Sequence, residues 1–310
     1  MEQAALAGAV ALAAPFPASF AQTSHSRRKW KLALTPGSIG VRAGPRECIA
    51  LAVKYGFEAV EPGAQFLAGL PEQALAEFLA EVKGKGLAFA AAGLPLDFRG
   101  DEARFKSGLD ALPPLAAALQ RAGVNRVGTW LSPAHNDLTY LENFRQHARR
   151  LRAAAQVLKD HGQRLGLEYV GPPTSRLGRR FAFIHTMRET KELISEIGTG
   201  NVGFVLDSWH WWTAGETDAE ILSIKGTDVV SVDLNDAPAG IPVDQQKDGK
   251  RELPCATGVI PMASFLKALN QIGYDGPARA EPFNKTVNDL DDEPACAAVI
   301  ASLRQAVALI

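Results

Sequence analysis

The feature that most constrains this chain is an alternation repeated eight times: a short apolar run, then a longer segment with apolar residues three and four positions apart. The runs are WKLALTP (30–36), FEAVEP (57–62), LAFAAAGLPL (87–96), RVGTWLSP (126–133), RLGLEYVGP (164–172), VGFVLDSWH (202–210), VVSVDLNDAP (229–238) and GPARAEPF (276–283). Segments between them, such as PRECIALAVKYG, PEQALAEFLAEVKGKG and NFRQHARRLRAAAQVLKDHG, have helical periodicity and close on glycine, and PACAAVIASLRQAVALI follows the last run. Strand and helix in this order and number predict an α/β chain folded as one (β/α)8 (TIM) barrel over residues 29–310. The alternative, an open doubly wound sheet, usually has fewer repeats and a glycine-rich phosphate loop after its first strand. Here TPGSIGVRAG stands in that place and lacks GxGxxG.

Residues 1–28 differ from the rest. ALAGAVALAA (5–14) is a run of small apolar residues, and Ser19, Phe20 and Ala21 before Gln22 resemble a small-x-small cleavage site. An export signal is expected here, although the start carries Glu2 and no Lys or Arg; an uncleaved alanine-rich tail is the alternative. The protein is then periplasmic or secreted if the signal operates, and cytoplasmic otherwise. The run is too short for a stable anchor, and no other stretch suggests a membrane span. A polyanion binder needs a basic face, and 33 Lys and Arg against 34 Asp and Glu, with no long basic run beyond residues 27–29, weigh against one, so a nucleic-acid partner is not expected. Its three cysteines lack CxxC spacing and read as small buried or incidental residues.

A barrel of this kind builds its site at the C-terminal ends of the strands. Acids lie near those ends: Glu61 in the second run, Glu168 in the fifth, Asp207 in the sixth, Asp233 and Asp236 in the seventh, Glu281 in the eighth. Carboxylates converging on one mouth repel one another and raise each other's pKa unless a cation neutralises them, and a divalent metal is the simplest such cation. Pairing with arginines at the mouth is the plainer alternative. An all-oxygen site favours Mg²⁺ or Mn²⁺, and a nearby histidine tilts it towards Mn²⁺ or Co²⁺ over Ca²⁺. The segment 235–259 after the seventh run is long enough to suggest a working loop.

The motifs GFEAVEP, LEYVGP, VLDSWHWW, VDLNDAPAG, RELP and GYDGPARAEPF, in this order and spacing from about residue 30 onwards, resemble the xylose isomerase-like sugar phosphate isomerase/epimerase superfamily. The resemblance implies that Glu168 and Glu281 are both metal ligands and acid/base groups, and that Asp207 is a ligand. It implies that His210 contacts a substrate oxygen and that Arg251 binds substrate. The fourth ligand in many members is a histidine, whereas this chain has Asp233 there, which leaves the site more anionic. Glu61 is expected to hydrogen-bond substrate or support a ligand. Trp130, Trp209, Trp211 and Trp212 are candidates either for an apolar wall against a sugar ring or for packing at the mouth.

These assignments imply a divalent-metal-dependent sugar isomerase or epimerase that abstracts a proton beside a carbonyl and passes through an enediolate. The alternatives are a lyase dehydrating an inosose or keto-sugar, an abasic-site endonuclease, and a barrel that binds sugar without turnover. The expected partner is a small carbohydrate, and relatives of this kind often form homo-oligomers.

Overall fold

A computed structural model describes residues 28–310, so the expected export signal lies outside the described residues. Eight staves run in chain order: β1 Lys31–Leu34, β2 Ala59–Val60, β3 in two pieces (Ala88–Phe89 and Ala92–Gly93), β4 Arg126–Trp130, β5 Arg164–Glu168, β6 Val202–Asp207, β7 Val229–Leu234 and β8 Pro277–Ala280. All pair in parallel, in the order β3–β2–β1–β8–β7–β6–β5–β4–β3, so the two pieces of β3 stand at the two ends of the strand order. The TIM barrel predicted from the alternation is the fold observed. Its helices are α1 Pro45–Tyr55, α2 Glu72–Gly84, α3 Glu102–Arg121, α4 Tyr140–Asp160, α5 Met187–Ile197, α6 Asp218–Leu222, α7 Met262–Gln271 and α8 Asp292–Val307, with short helical turns between some of them. Among the described residues no helix is long and apolar enough to cross a membrane.

Two elements differ from the sequence expectation for physical reasons. The run 87–96 is not one strand: its first piece pairs with β2 and its second with β4, so neither piece is paired on both sides. The sixth run stops at Asp207, because the Asp207 carboxylate accepts from the Trp209 backbone N–H at 2.6 Å and caps a helical turn, Ser208–Thr213. That cap turns the carboxylate into the mouth, while the turn beyond it carries His210.

The barrel interior is unusual below the mouth. TIM-barrel interiors are mostly filled by branched aliphatic residues, but here Ala33, Ala90, Ala92, Gly128 and Ser231 line a cavity of about 260 Å³. The alanine-rich third stave and the glycine of β4 therefore leave space beneath the acids.

Candidate functional site

Register brings the acids together before any loop contributes. Asp207 on β6 lies opposite Asp233 on β7, and Asp233 lies opposite Arg279 on β8. Glu168 ends β5 opposite Trp130 of β4. Glu281 follows β8 two residues after Arg279, so the two side chains share a face. Ligand atoms of Glu168, Asp207, Asp233 and Glu281 all lie within 4.8 Å of one another, and all four residues are buried.

Each acid is held differently. Asp207 accepts from both Asn235 Nδ2 contacts, at 3.0 and 3.1 Å, and from Arg251 Nη1 at 2.7 Å. Asp233 accepts from Arg279 Nε at 2.6 Å on one oxygen and from Arg279 Nη2 at 2.9 Å on the other. Glu281 accepts from Arg279 Nη2 at 2.7 Å and from Arg251 Nη1 at 3.3 Å. Glu168 is the exception, since its Oε1 is buried with no hydrogen-bond partner. A buried polar atom without a partner costs free energy, and Glu168 Oε1 is therefore an oxygen free to take a ligand.

The electrostatics follow from burial. Desolvation, then the charges of Glu281, Asp233 and Asp207, push Glu168 well above the usual carboxylate range. Asp207 rises to about 7, because desolvation and its acidic neighbours outweigh the opposing pull of Arg251 and the Asn235 hydrogen bond. Glu281 is also raised, first by desolvation. A divalent cation fits this donor set: four close carboxylates, one with an unused oxygen, and pKa values that a positive charge would relieve.

The loop after β7 supplies the remaining polar groups. Asp236 does not join the cluster; its carboxylate accepts the backbone N–H groups of Ala237, Thr257, Gly258 and Ile260 and ties the loop down. The chain pairs back on itself between Asp236 and Glu252, which sets Arg251 over the acids. Arg251 is 2% exposed and also donates from Nη2 to Asp248 at 2.7 Å. Desolvation opposes its charge, but Asp207, Asp248, Glu281 and Glu168 together raise its pKa.

His210 is buried, with Nδ1 facing the Gly171 N–H at 3.2 Å and Nε2 facing Arg251 Nη2 at 3.0 Å. Desolvation, then the Arg251 charge, lowers it to about 3, so the ring is neutral at ordinary pH. A glycine is needed at 171, because a Cβ there would stand 2.2 Å from the His210 carbonyl oxygen and 2.7 Å from Thr213 Oγ1.

Two cavities flank the acids. The inner one contains Glu61, whose carboxyl is raised by burial, together with Arg99 and Arg279. The outer one, of about 500 Å³, contains His210, Asp248, Arg251 and Phe283. Glu168, Glu281 and Trp130 line both. Trp130 is 46% exposed and stacks against the Arg99 guanidinium, 4.2 Å from its ring centroid.

The other tryptophans take the plainer of their two readings. Trp209 and Trp211 are buried, Trp211 against Phe265, and with Trp212 they line neither cavity. Sequence reasoning missed Arg279. The available signal was its i, i+2 spacing to Glu281 within RAEPF, which puts both on one face of a strand.

A family model described as the xylose isomerase-like TIM barrel matches residues 49–306. Among solved structures, the chain is similar to a xylose isomerase domain protein from Alicyclobacillus acidocaldarius subsp. acidocaldarius. The two are 33% identical with a TM-score of 0.79, over 90% of this chain and 99% of the other. It shares its fold with an IolI protein with a binding zinc atom, at 19% identity and a TM-score of 0.73, over 90% of this chain and 98% of that one. Among curated proteins it is similar to inosose isomerase from Bacillus subtilis (strain 168), 25% identical over 141 residues, 46% of this chain. That match covers 48% of the relative, so the chain spans about half the length of the curated relatives it matches.

Proposed function

The chain belongs to the xylose isomerase-like TIM barrel family, and on that footing we propose that it is a divalent-metal-dependent isomerase or epimerase of a small carbonyl-bearing carbohydrate. The observation that carries this reading is the placement of Glu168 and Glu281. Two buried carboxyls with raised pKa values line both cavities, and one has an oxygen left without a partner. The similarity to an inosose isomerase supports the substrate class.

Glu168, Asp207 and Glu281, with Asp233 in the same cluster, would hold the cation, Mn²⁺ or Mg²⁺ by their oxygen donors, with Co²⁺ also accommodated. When bound, the cation supplies positive charge that polarises a carbonyl and an adjacent hydroxyl and acidifies the C–H between them. One of Glu168 and Glu281 removes that proton as a carboxylate, and the other returns a proton as a carboxylic acid. Return to the opposite face of the same carbon gives epimerisation, and return to the neighbouring carbon gives isomerisation. Burial suits both roles, because it keeps an added proton on an oxygen until the substrate takes it.

The surrounding residues bind and orient. Arg251 and neutral His210 offer donor and acceptor groups to substrate oxygens from the outer cavity, and Glu61 does so from the inner one. Trp130 presents an apolar face at their junction. The loop after β7 lines the outer cavity through Asp248 and Arg251.

The test is metal analysis of the purified protein combined with deuterium incorporation from heavy water across a panel of ketoses and inososes. One equivalent of divalent metal and chelator-sensitive exchange beside a carbonyl are expected. Metal-free protein that exchanges equally well, or no exchange into any candidate, would remove this reading. Loss of water from the substrate without epimer formation would identify the lyase alternative.

A further inference from the structure

The four acids are not equivalent, and the difference lies in Arg279. Asp233 is fully buried, and both of its oxygens are already taken by one guanidinium in a fork at 2.6 and 2.9 Å. Strand register imposes this pair, because Asp233 and Arg279 lie directly opposite on adjacent parallel strands and project to the same face. Such bidentate pairs are among the stronger polar contacts, and removing one partner of a buried pair is strongly destabilising. Glu168, by contrast, has a buried oxygen with no partner, and Asp207 and Glu281, although both oxygens of each also accept hydrogen bonds, meet each guanidinium through a single nitrogen and not through a fork.

Charge points the same way. Counted with all four acids ionised, and leaving aside Asp248, which shares Arg251, the cluster sets four negative charges against two guanidinium groups, a surplus of two. If Arg279 and Asp233 are counted as a closed pair, three carboxylates and Arg251 remain, with the same surplus. The pair is therefore electrically silent and the cation does not need it.

We propose that Asp233 is not a metal ligand but the anchor of Arg279, so that the metal centre of this chain is a three-carboxylate site formed by Glu168, Asp207 and Glu281. The proposal rests on the metal-dependent reading above and refines it. Arg279 is then a positioning and specificity residue. Its Nη1 makes no hydrogen bond among the described residues, and the side chain is 27% exposed and lines the inner cavity beside Glu61 and Thr35. A guanidinium fixed by Asp233 meets a substrate oxygen there with its direction already set, while the same charge keeps Glu281 oriented at 2.7 Å.

The experiment is titration with Mn²⁺, read by the electron paramagnetic resonance of the free ion, on wild type, Asp207→Asn, Arg279→Met and the double variant Asp233→Asn/Arg279→Met. The double variant removes both partners and leaves the cluster charge unchanged. Expected results are one Mn²⁺ in wild type and a loss beyond roughly 100-fold in Asp207→Asn. The double variant should change by no more than about tenfold, the scale of an outer-shell effect. Arg279→Met alone should bind roughly tenfold tighter or more, since a positive charge is removed beside the ion.

A double variant with native circular dichroism that loses Mn²⁺ as completely as Asp207→Asn overturns the proposal. If the double variant does not fold, anomalous diffraction from Mn²⁺-loaded wild-type crystals decides. Asp233 oxygens should remain on Arg279 and lie beyond about 3 Å from the ion, whereas contact near 2.1 Å overturns the assignment. Wild type that binds no divalent ion would instead remove the metal-dependent reading, and this refinement with it.

Discussion

His147 gives a pH-dependent weakness to the wall behind the mouth, and its size follows from its surroundings. It sits on α4, 3% exposed, packed against Phe98 at 5.4 Å and Phe183 at 4.8 Å between ring centroids. Nδ1 faces the Asn143 carbonyl at 2.9 Å, and so carries the hydrogen, while Nε2 is buried without a partner. Desolvation lowers its pKa from 6.5 to about 4, with the charges of Arg99 and Arg150 and the nearby His135 acting in the same direction and only the Asn143 contact opposing. The folded state therefore resists protonation. Between pH 6.5 and 4 the unfolded chain binds a proton that the folded chain does not, so stability falls as pH falls and the penalty levels off below 4.

Two and a half pH units at 1.36 kcal/mol each correspond to about 3 kcal/mol. The assay is urea unfolding of wild type and His147→Met at intervals from pH 7.5 to 4. Subtracting the two profiles cancels other titrating groups, including the acid cluster, whose raised pKa values act with the opposite sign. The wild type should lose about 3 kcal/mol relative to the variant over this window. Parallel profiles would refute the argument, since His147 would then titrate alike in both states.

Other outcomes follow from the site. Gly171→Ala should destabilise the fold by about 1–3 kcal/mol in urea unfolding, because its methyl group meets the His210 carbonyl, and it should weaken substrate binding by shifting His210. Trp130→Ala should raise KM by up to about tenfold with a smaller change in kcat, as expected for a wall that binds ground and transition states alike. Mn²⁺ affinity should rise with pH across a titration series from about pH 5.5 to 8, because the cation must displace the protons that burial holds on Glu168, Asp207 and Glu281; an affinity independent of pH would contradict this.

Much of the architecture was legible because it rests on local pattern. The eight staves follow from apolar runs and periodic spacers, and the acids at their ends could be placed without knowing the loops. Arg251 and His210 were reached by resemblance, and the structure brings both to the cluster. What stayed hidden depends on long-range register and volume. The Asp233–Arg279 pair exists because β7 and β8 align those two positions, which neither strand reveals alone. The inner cavity is a sum over small residues on separate staves, each unremarkable by itself. Trp209 and Trp211 lie within one turn of a chemically marked segment, yet the helical turn started by Asp207 sends them into the core.

The central claim is that one of Glu168 and Glu281 takes a proton from the carbon beside a carbohydrate carbonyl and the other, as a carboxylic acid, delivers its own proton in return. The most direct measurement is solvent deuterium incorporation by Glu168→Gln and Glu281→Gln against wild type, at saturating Mn²⁺ and with the fold checked by circular dichroism. Wild type should exchange the carbon-bound proton and form product. Each variant should lose turnover by about 10²- to 10⁴-fold, and a variant that keeps the abstracting carboxylate should still wash deuterium into recovered substrate. Full turnover in either variant, with metal still bound, would contradict the account.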